Sequence, residues 1–252
     1  MAACKTCNEA LVFRLDDDDD DNDMQVPDDL ELRCGCHFHW SCLLDQAQTV
    51  ALALKCPSCG TYLPENEAGP SSTNPLLPTA GTAILARYTN EGGVDPSLDI
   101  LPSITEEAYL ASHPETQPAR AFHVMCGEGD PEAIVELLSS LSDTDDEEEL
   151  GVLSVLRYQD PLAGMKSALH LAVERGQQEV AMLLLWLCST ANTESFPEAS
   201  RQIVESAGLG RLSVGSDGDI RGLKDSRGLT AVELARQAQV LWAGFFESGL
   251  FL

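Results

Sequence analysis

The chain has 252 residues and carries 41 acidic residues against 15 lysines and arginines, a formal net charge of −26. Such a balance argues against general binding to nucleic acid or anionic membranes, which need a positive surface, and favours basic partners. No run of about 18 apolar residues offers a membrane span, and no apolar leader follows Met1-Ala2-Ala3-Cys4. The nine cysteines are therefore read as metal ligands or core residues of a cytoplasmic or nuclear protein rather than as disulfides.

The first 64 residues hold a ladder: Cys4-x2-Cys7, Cys34-x-Cys36-x2-His39-x2-Cys42, and Cys56-x2-Cys59. Each adjacent pair is spaced so that two side chains can reach one ion. Thiolate and imidazole are the ligands of structural zinc, and four of them close a tetrahedral shell. Eight ligands imply two structural Zn²⁺ ions and leave no open position for catalysis. His37 is a competing ligand that could replace Cys36 or His39; His39 is preferred because two residues separate it from Cys36 and two from Cys42. Between the second and third ligands, seven aspartates crowd positions 16–23. Their mutual repulsion suits a solvated excursion rather than a strand or helix interior. Phe38, Trp40, Leu43 and Leu44 are candidates for a small core between the ions.

This ladder resembles a RING finger with cysteine where many members carry their first histidine. The short Cys34-to-Cys42 core and Cys56-Pro57-Ser58-Cys59 carry the likeness. The resemblance implies an interleaved arrangement, with Cys4, Cys7, His39 and Cys42 on one ion and Cys34, Cys36, Cys56 and Cys59 on the other. It also implies a partner, a ubiquitin-conjugating enzyme, and an activity: orienting its charged thioester toward a substrate without a covalent intermediate on the finger. Family members dock that enzyme with an apolar residue between the first two cysteines, an aromatic residue in a central groove and a proline in the last ligand pair. A basic residue often follows the last cysteine. This chain has Pro57, but Thr6 in the first loop, Gly60 after the last cysteine, and only Val50, Leu52 and Leu54 as apolar candidates for the groove.

Residues 65–102 are rich in proline, serine, threonine and glycine, a linker composition. Ser103-Ile104-Thr105-Glu106 reads as a capping box opening a short helix toward Ser112, with Pro114 and Pro118 stopping it.

From about residue 115 the pattern turns helical and repeats. Ala121-Phe122-His123, Gly129-Asp130-Pro131-Glu132 and Leu137-Leu138 recur 47 positions later as Ala168-Leu169-His170, Gly176-Gln177-Gln178-Glu179 and Leu184-Leu185. A third copy begins at Asp225-Ser226-Arg227-Gly228. Each of the first two reads as a helix, a glycine turn and a second helix, a unit that buries its apolar face only by stacking on neighbours. Long inserts separate the copies, with a second acidic block after residue 142 and an extra helix expected over 197–207. The tail holding Val240-Leu241-Trp242 and Phe245-Phe246 is expected to seal the stack. Ala168-Leu169-His170-Leu171-Ala172 and Gly176-x2-Glu179-Val180 resemble ankyrin repeats. That likeness implies a protein-binding concave face with no catalytic site, His123 and His170 as ties between neighbouring repeats, and Cys126 and Cys188 as buried core residues.

The expected fold is thus a small zinc-stapled RING-like α+β domain over 1–64, a flexible linker with a short helix over 65–114, and an all-α ankyrin-repeat stack over 115–252. The expected function is a RING-type ubiquitin ligase whose substrate sits on the ankyrin face, with no nucleic-acid or membrane partner. The rival is a non-catalytic, zinc-stabilised ankyrin adaptor or scaffold. No nucleophile constellation or phosphate-cradling loop is present to suggest another enzyme class.

Overall fold

The computed structural model describes residues 2–15, 24–64, 82–143, 151–198 and 209–252. The aspartate run at 16–23 and most of the helix expected over 197–207 lie outside the described residues, as do 65–81 and 144–150. The chain divides into a strand-containing unit ending at His113 and a mostly helical unit beginning at Pro114. No helix among the described residues is long and apolar enough to cross a membrane.

In the first unit, β1 (Val12–Leu15) and β2 (Met24–Pro27) form an antiparallel pair with Phe13 opposite Val26. Next come β3 (Asp29–Leu32), β4 (His37–Phe38), α1 (Trp40–Leu44) and α2 (Ala47–Ala53). One face of α2 is small and apolar: Ala47, Val50 and Ala51 are buried, as is Leu54 just beyond its end. Leu54 stops the helix in the left-handed region at φ 52°, an uncommon conformation for a non-glycine residue. Its side chain is fully buried, which offsets the local cost.

The linker expected over 65–114 is corrected for residues 82–113. β5 (Leu85–Asn90) pairs along β3, with Leu30 opposite Tyr88 and Leu32 opposite Ala86, and β6 (Gly93–Asp99) pairs with β5. The resulting four-stranded sheet runs β4-β3-β5-β6. Helix α3 (Leu101–Ser112) then packs on α2. It starts two residues before Ser103, because the Asp99 carboxylate accepts from the Leu101 amide at 3.1 Å and the Ile84 amide at 3.0 Å. Pro118 stands in the first turn of the next helix, where a missing N–H costs nothing, rather than stopping α3.

The physical reason for this enlargement is core size. Phe38 and Leu43 are buried as expected, while Trp40 and Leu44 are only partly so. The extension adds Ile84, Ala86, Ile100, Leu101, Ile104 and Ala108 to the same cluster as Leu30, Leu32 and Phe38. A segment of about 60 residues buries too small a fraction of its surface to fold on apolar packing alone.

The second unit contains α4 (Gln117–Glu128), α5 (Pro131–Asp143), α6 (Val152–Leu156), the short hairpin β7 (Gln159–Asp160) and β8 (Lys166–Ser167), α7 (Ala168–Arg175), α8 (Gln178–Cys188), α9 (Ala231–Gln237) and α10 (Gln239–Glu247). α4 packs beside α7 and α7 beside α9, while α5 lies beside α8. Gly129 and Gly176 end α4 and α7 in the left-handed region, at φ 85° and 75°. Gln177 links the two pairs: its side-chain amide donates to the carbonyls of Gly127 and Glu128, both at 3.1 Å. Aspartate-capped turns connect the two strands of the hairpin and introduce the third pair, α9 and α10. Asp160 accepts from the Leu162 amide, and Asp225 from the amides of Arg227 and Leu229.

The two histidines differ. His170 accepts at Nδ1 from the Ser167 amide and donates through Nε2 to the Leu229 carbonyl at 3.0 Å, tying α7 to the turn before α9. Among the described residues none makes a hydrogen bond of ordinary geometry to the buried His123 ring, which packs against the Tyr158 ring at 5.3 Å. Burial holds its imidazole down at about 4, against the opposing pull of Asp160 and the Tyr158 carbonyl. Cys126 and Cys188 are fully buried, and burial pushes both thiols up, Cys188 to about 11. In the tail, Trp242, Phe245, Leu250 and Phe251 are buried, whereas Val240 is 96% exposed.

Candidate metal centres

Two chain segments of the same shape supply half of the ligands. In the first, the Cys4 amide donates to the Glu9 carbonyl at 3.0 Å and the Asn8 amide returns to the Cys4 carbonyl at 2.9 Å. In the second, the Cys56 amide donates to the Thr61 carbonyl at 2.8 Å and the Gly60 amide to the Cys56 carbonyl at 2.9 Å. Both turns pass through the left-handed region, at Asn8 (φ 64°) and Gly60 (φ 72°). Asparagine and glycine are the residues that reach it most readily. Each turn is closed by a bridge, Ala3 to Ala10 and Lys55 to Tyr62. The role of Gly60 is therefore visible in the backbone of its own knuckle.

The remaining ligands come from the turn between β3 and β4 and from the start of α1. Gly35, at φ 75°, turns the chain between Cys34 and Cys36, and the Leu32 amide donates to the Cys36 carbonyl at 3.0 Å. His39 immediately precedes α1, and Cys42 lies one helical turn later.

These elements bring the eight residues together in two sets, Cys4/Cys7/His39/Cys42 and Cys34/Cys36/Cys56/Cys59. Within each set all candidate ligand atoms lie within 4.8 Å of one another. A tetrahedral zinc shell with Zn–S near 2.3 Å and Zn–N near 2.0 Å has ligand–ligand edges of about 3.5–3.8 Å. The His39 Nδ1 atom lies 3.3 Å from Cys7 Sγ and 3.7 Å from Cys42 Sγ. Its Nε2 donates to the Ala10 carbonyl at 2.8 Å, which fixes the ring and leaves Nδ1 as the ligand atom. The donors thus fit a metal ion in each set. His37 is occupied elsewhere: its Nδ1 lies 2.7 Å from Asp29 Oδ1 and it belongs to neither set.

The thiols are electrostatically divided. Burial raises Cys4, but the amides of Cys7, His39 and Thr6 bring it down to about 6; Thr61 holds Cys59 down to about 6. Burial and neighbouring sulfurs push Cys42 and Cys34 up to about 12. Burial, with help from Cys59, also raises Cys36. The three thiols of one set and the four of the other are too close for all to be thiolate without a cation among them, so metal binding and full deprotonation are one event. With four protein donors per set, neither centre offers a vacant position for a reacting water.

Thr6 and Leu52 are exposed and Pro57 is half-buried. Val50 and Leu54 are fully buried, so Leu52, at 50% exposure, is the apolar candidate of that stretch that reaches solvent. The orienting roles of the Ala10 carbonyl and Asp29 were not foreseen; backbone carbonyls leave no sequence trace. The Asn8/Gly60 equivalence did have a signal, the recurrence of Cys-x2-Cys followed by a residue tolerant of positive φ. Comparison with protein-family models, curated proteins and solved structures found no match.

Proposed function

We propose that the first unit is a RING-type finger holding two structural Zn²⁺ ions, and that the chain is a ubiquitin ligase whose helical unit, an ankyrin-like stack, holds the substrate. The observation that carries this reading is the alternation of ligand pairs. The first and third pairs along the chain form one set and the second and fourth the other. Interleaving of this kind ties the two ends of a small domain together through metal bonds. Support for the ankyrin-like part comes from the paired helices, the row α4–α7–α9 and the His170 bond between neighbouring pairs. The finger contributes no reacting group. It would hold the thioester of the conjugating enzyme in a reactive orientation while the helical unit raises the local concentration of the acceptor lysine.

Thr6 and Gly60 favour a second reading. They stand where the resemblance implies an apolar docking residue and a basic clamp, and their absence suits a non-catalytic adaptor. The deciding assay is discharge of a panel of ubiquitin-charged conjugating enzymes onto free lysine by the zinc-loaded chain. The ligase reading expects discharge with at least one enzyme. It also expects loss in Cys56→Ser, and a fall of about tenfold in Leu52→Ala with its zinc content unchanged. No discharge across the panel, with two zincs bound, decides for the adaptor.

A further inference from the structure

The first unit also carries a concave site away from the metal ligands. A cavity of about 430 Å³ opens between the β1–β2 pair, the start of α1 and the β5–β6 turn. Three aromatic side chains line it: Phe13 from β1, Trp40 from α1 and Tyr88 from β5. Trp40 and Tyr88 are stacked at a tilt, with centroids 5.4 Å apart. Phe13 is 58% exposed, which leaves its ring open to an incoming group. Two carboxylates, Asp28 and Glu91, share the lining. Asp28 is held in place by the Trp40 amide at 3.1 Å and the Tyr88 hydroxyl at 3.1 Å. Burial and the Asp28 charge keep the Tyr88 phenol protonated, up to about 12, so it remains a donor to that carboxylate.

Aromatic faces present a negative quadrupole, and a cation within about 6 Å of a ring centroid is drawn to it. Carboxylates beside such rings add full charge of the same preference. Among the described residues no lysine or arginine lines the cavity. The chain's net charge of −26 adds a long-range field that draws cations and repels acidic segments. We propose that this cavity is a docking site for a basic side chain, lysine or arginine, presented by a partner protein, with the cation over Phe13, Trp40 and Tyr88 and its charge met by Asp28 and Glu91. The site uses none of the eight metal ligands, nor Thr6, Leu52 or Pro57. It therefore stands or falls independently of ligase activity.

The test uses the full, zinc-loaded chain and a set of short peptides identical except for one central residue: lysine, trimethyl-lysine, arginine, acetyl-lysine or glutamate. The readout is the indole N–H resonance of Trp40, one of three tryptophans, assigned by its loss in Trp40→Phe. The cationic peptides should shift this resonance saturably, and acetyl-lysine should bind at least about tenfold more weakly. The rank of lysine, trimethyl-lysine and arginine identifies the side chain recognised. Phe13→Ala and Glu91→Gln, both at exposed positions, should each weaken binding about three- to tenfold without altering zinc content. Four outcomes overturn the proposal: no Trp40 shift with any cationic peptide at millimolar concentration, equal binding of acetyl-lysine, binding indifferent to both variants, or a shift that grows with protein concentration alone, which would make the occupant a second copy of the chain.

Discussion

Ile104 lies in α3, outside the ligand ladder, yet is 1% exposed in the cluster that contains Leu30, Phe38 and Leu43. Truncating such a side chain to alanine costs about 2–5 kcal/mol, from lost burial and the cavity left behind. The first unit is expected to fold only with metal, so its folding free energy and its metal-binding free energy are a single quantity. A loss of about 3 kcal/mol in Ile104→Ala should then lower the combined affinity for two ions by roughly a hundredfold, or about tenfold per ion. The assay is competition with a coloured zinc chelator, read as the chelator concentration that removes half of the metal. Ile134→Ala is the matched control: Ile134 is equally buried, but in the helical unit. It should lower the unfolding temperature of the helices and leave the chelator midpoint in place. Coincident midpoints for the wild type and Ile104→Ala, within a factor of two, would refute the idea that residues 82–113 are part of the core that supports the metal ligands.

Three further outcomes concern the helical unit. Because the folded pKa of His123 is depressed to about 4 from an unfolded value near 6.5, its contribution is present above pH 6.5 and lost as pH falls toward 4; thermal melts should show this slope, and His123→Leu should flatten it. Gly129→Ala places a Cβ against the Gln177 side chain at a left-handed position, and should cost about 1–3 kcal/mol by denaturant titration, more than Gln177→Ala does. Burial would raise the Asp219 carboxyl, but Arg221 and the Thr190 and Arg221 amides hold it at about 2. Its stabilisation is therefore complete above about pH 4 and disappears between pH 4 and 2, and Asp219→Asn should remove about 1–2 kcal/mol at neutral pH, where an unchanged melting temperature would contradict the assignment.

Metal ligands are legible in a sequence because their chemistry is local. Two cysteines three positions apart reach one ion whatever surrounds them, so the four pairs stood out. The choice of His39 over His37 was weaker, and it rests in the structure on contacts with Ala10 and Asp29 that spacing does not encode. β5 and β6 were missed for a different reason. β6 contains Gly93 and Pro96 and is exposed at nearly every position, so it lacks the alternation that marks a half-buried strand. Its neighbour β5 pairs with β3 more than 50 residues away, a long-range choice that no window of local sequence contains. The helix pairs of the second unit were legible from their Leu-Leu stripes and glycine turns, whereas α6 is too short to show a period.

Leu63 and Ile84 are both fully buried in one core, so the chain leaves and re-enters the same folded body at these two residues. Both points of attachment belong to the first unit. Lengthening a connection whose two ends are fixed in one body costs little, about 0.6 kcal/mol per doubling. The two units meet in the chain at His113 and Pro114, with no residues left over between them. A fluorescent domain or epitope inserted near residue 72 should therefore report on the protein without lengthening the chain connection between its two units. A few residues added after His113 would lengthen that connection directly. The chain thus offers one address for cargo and a separate one for adjusting reach.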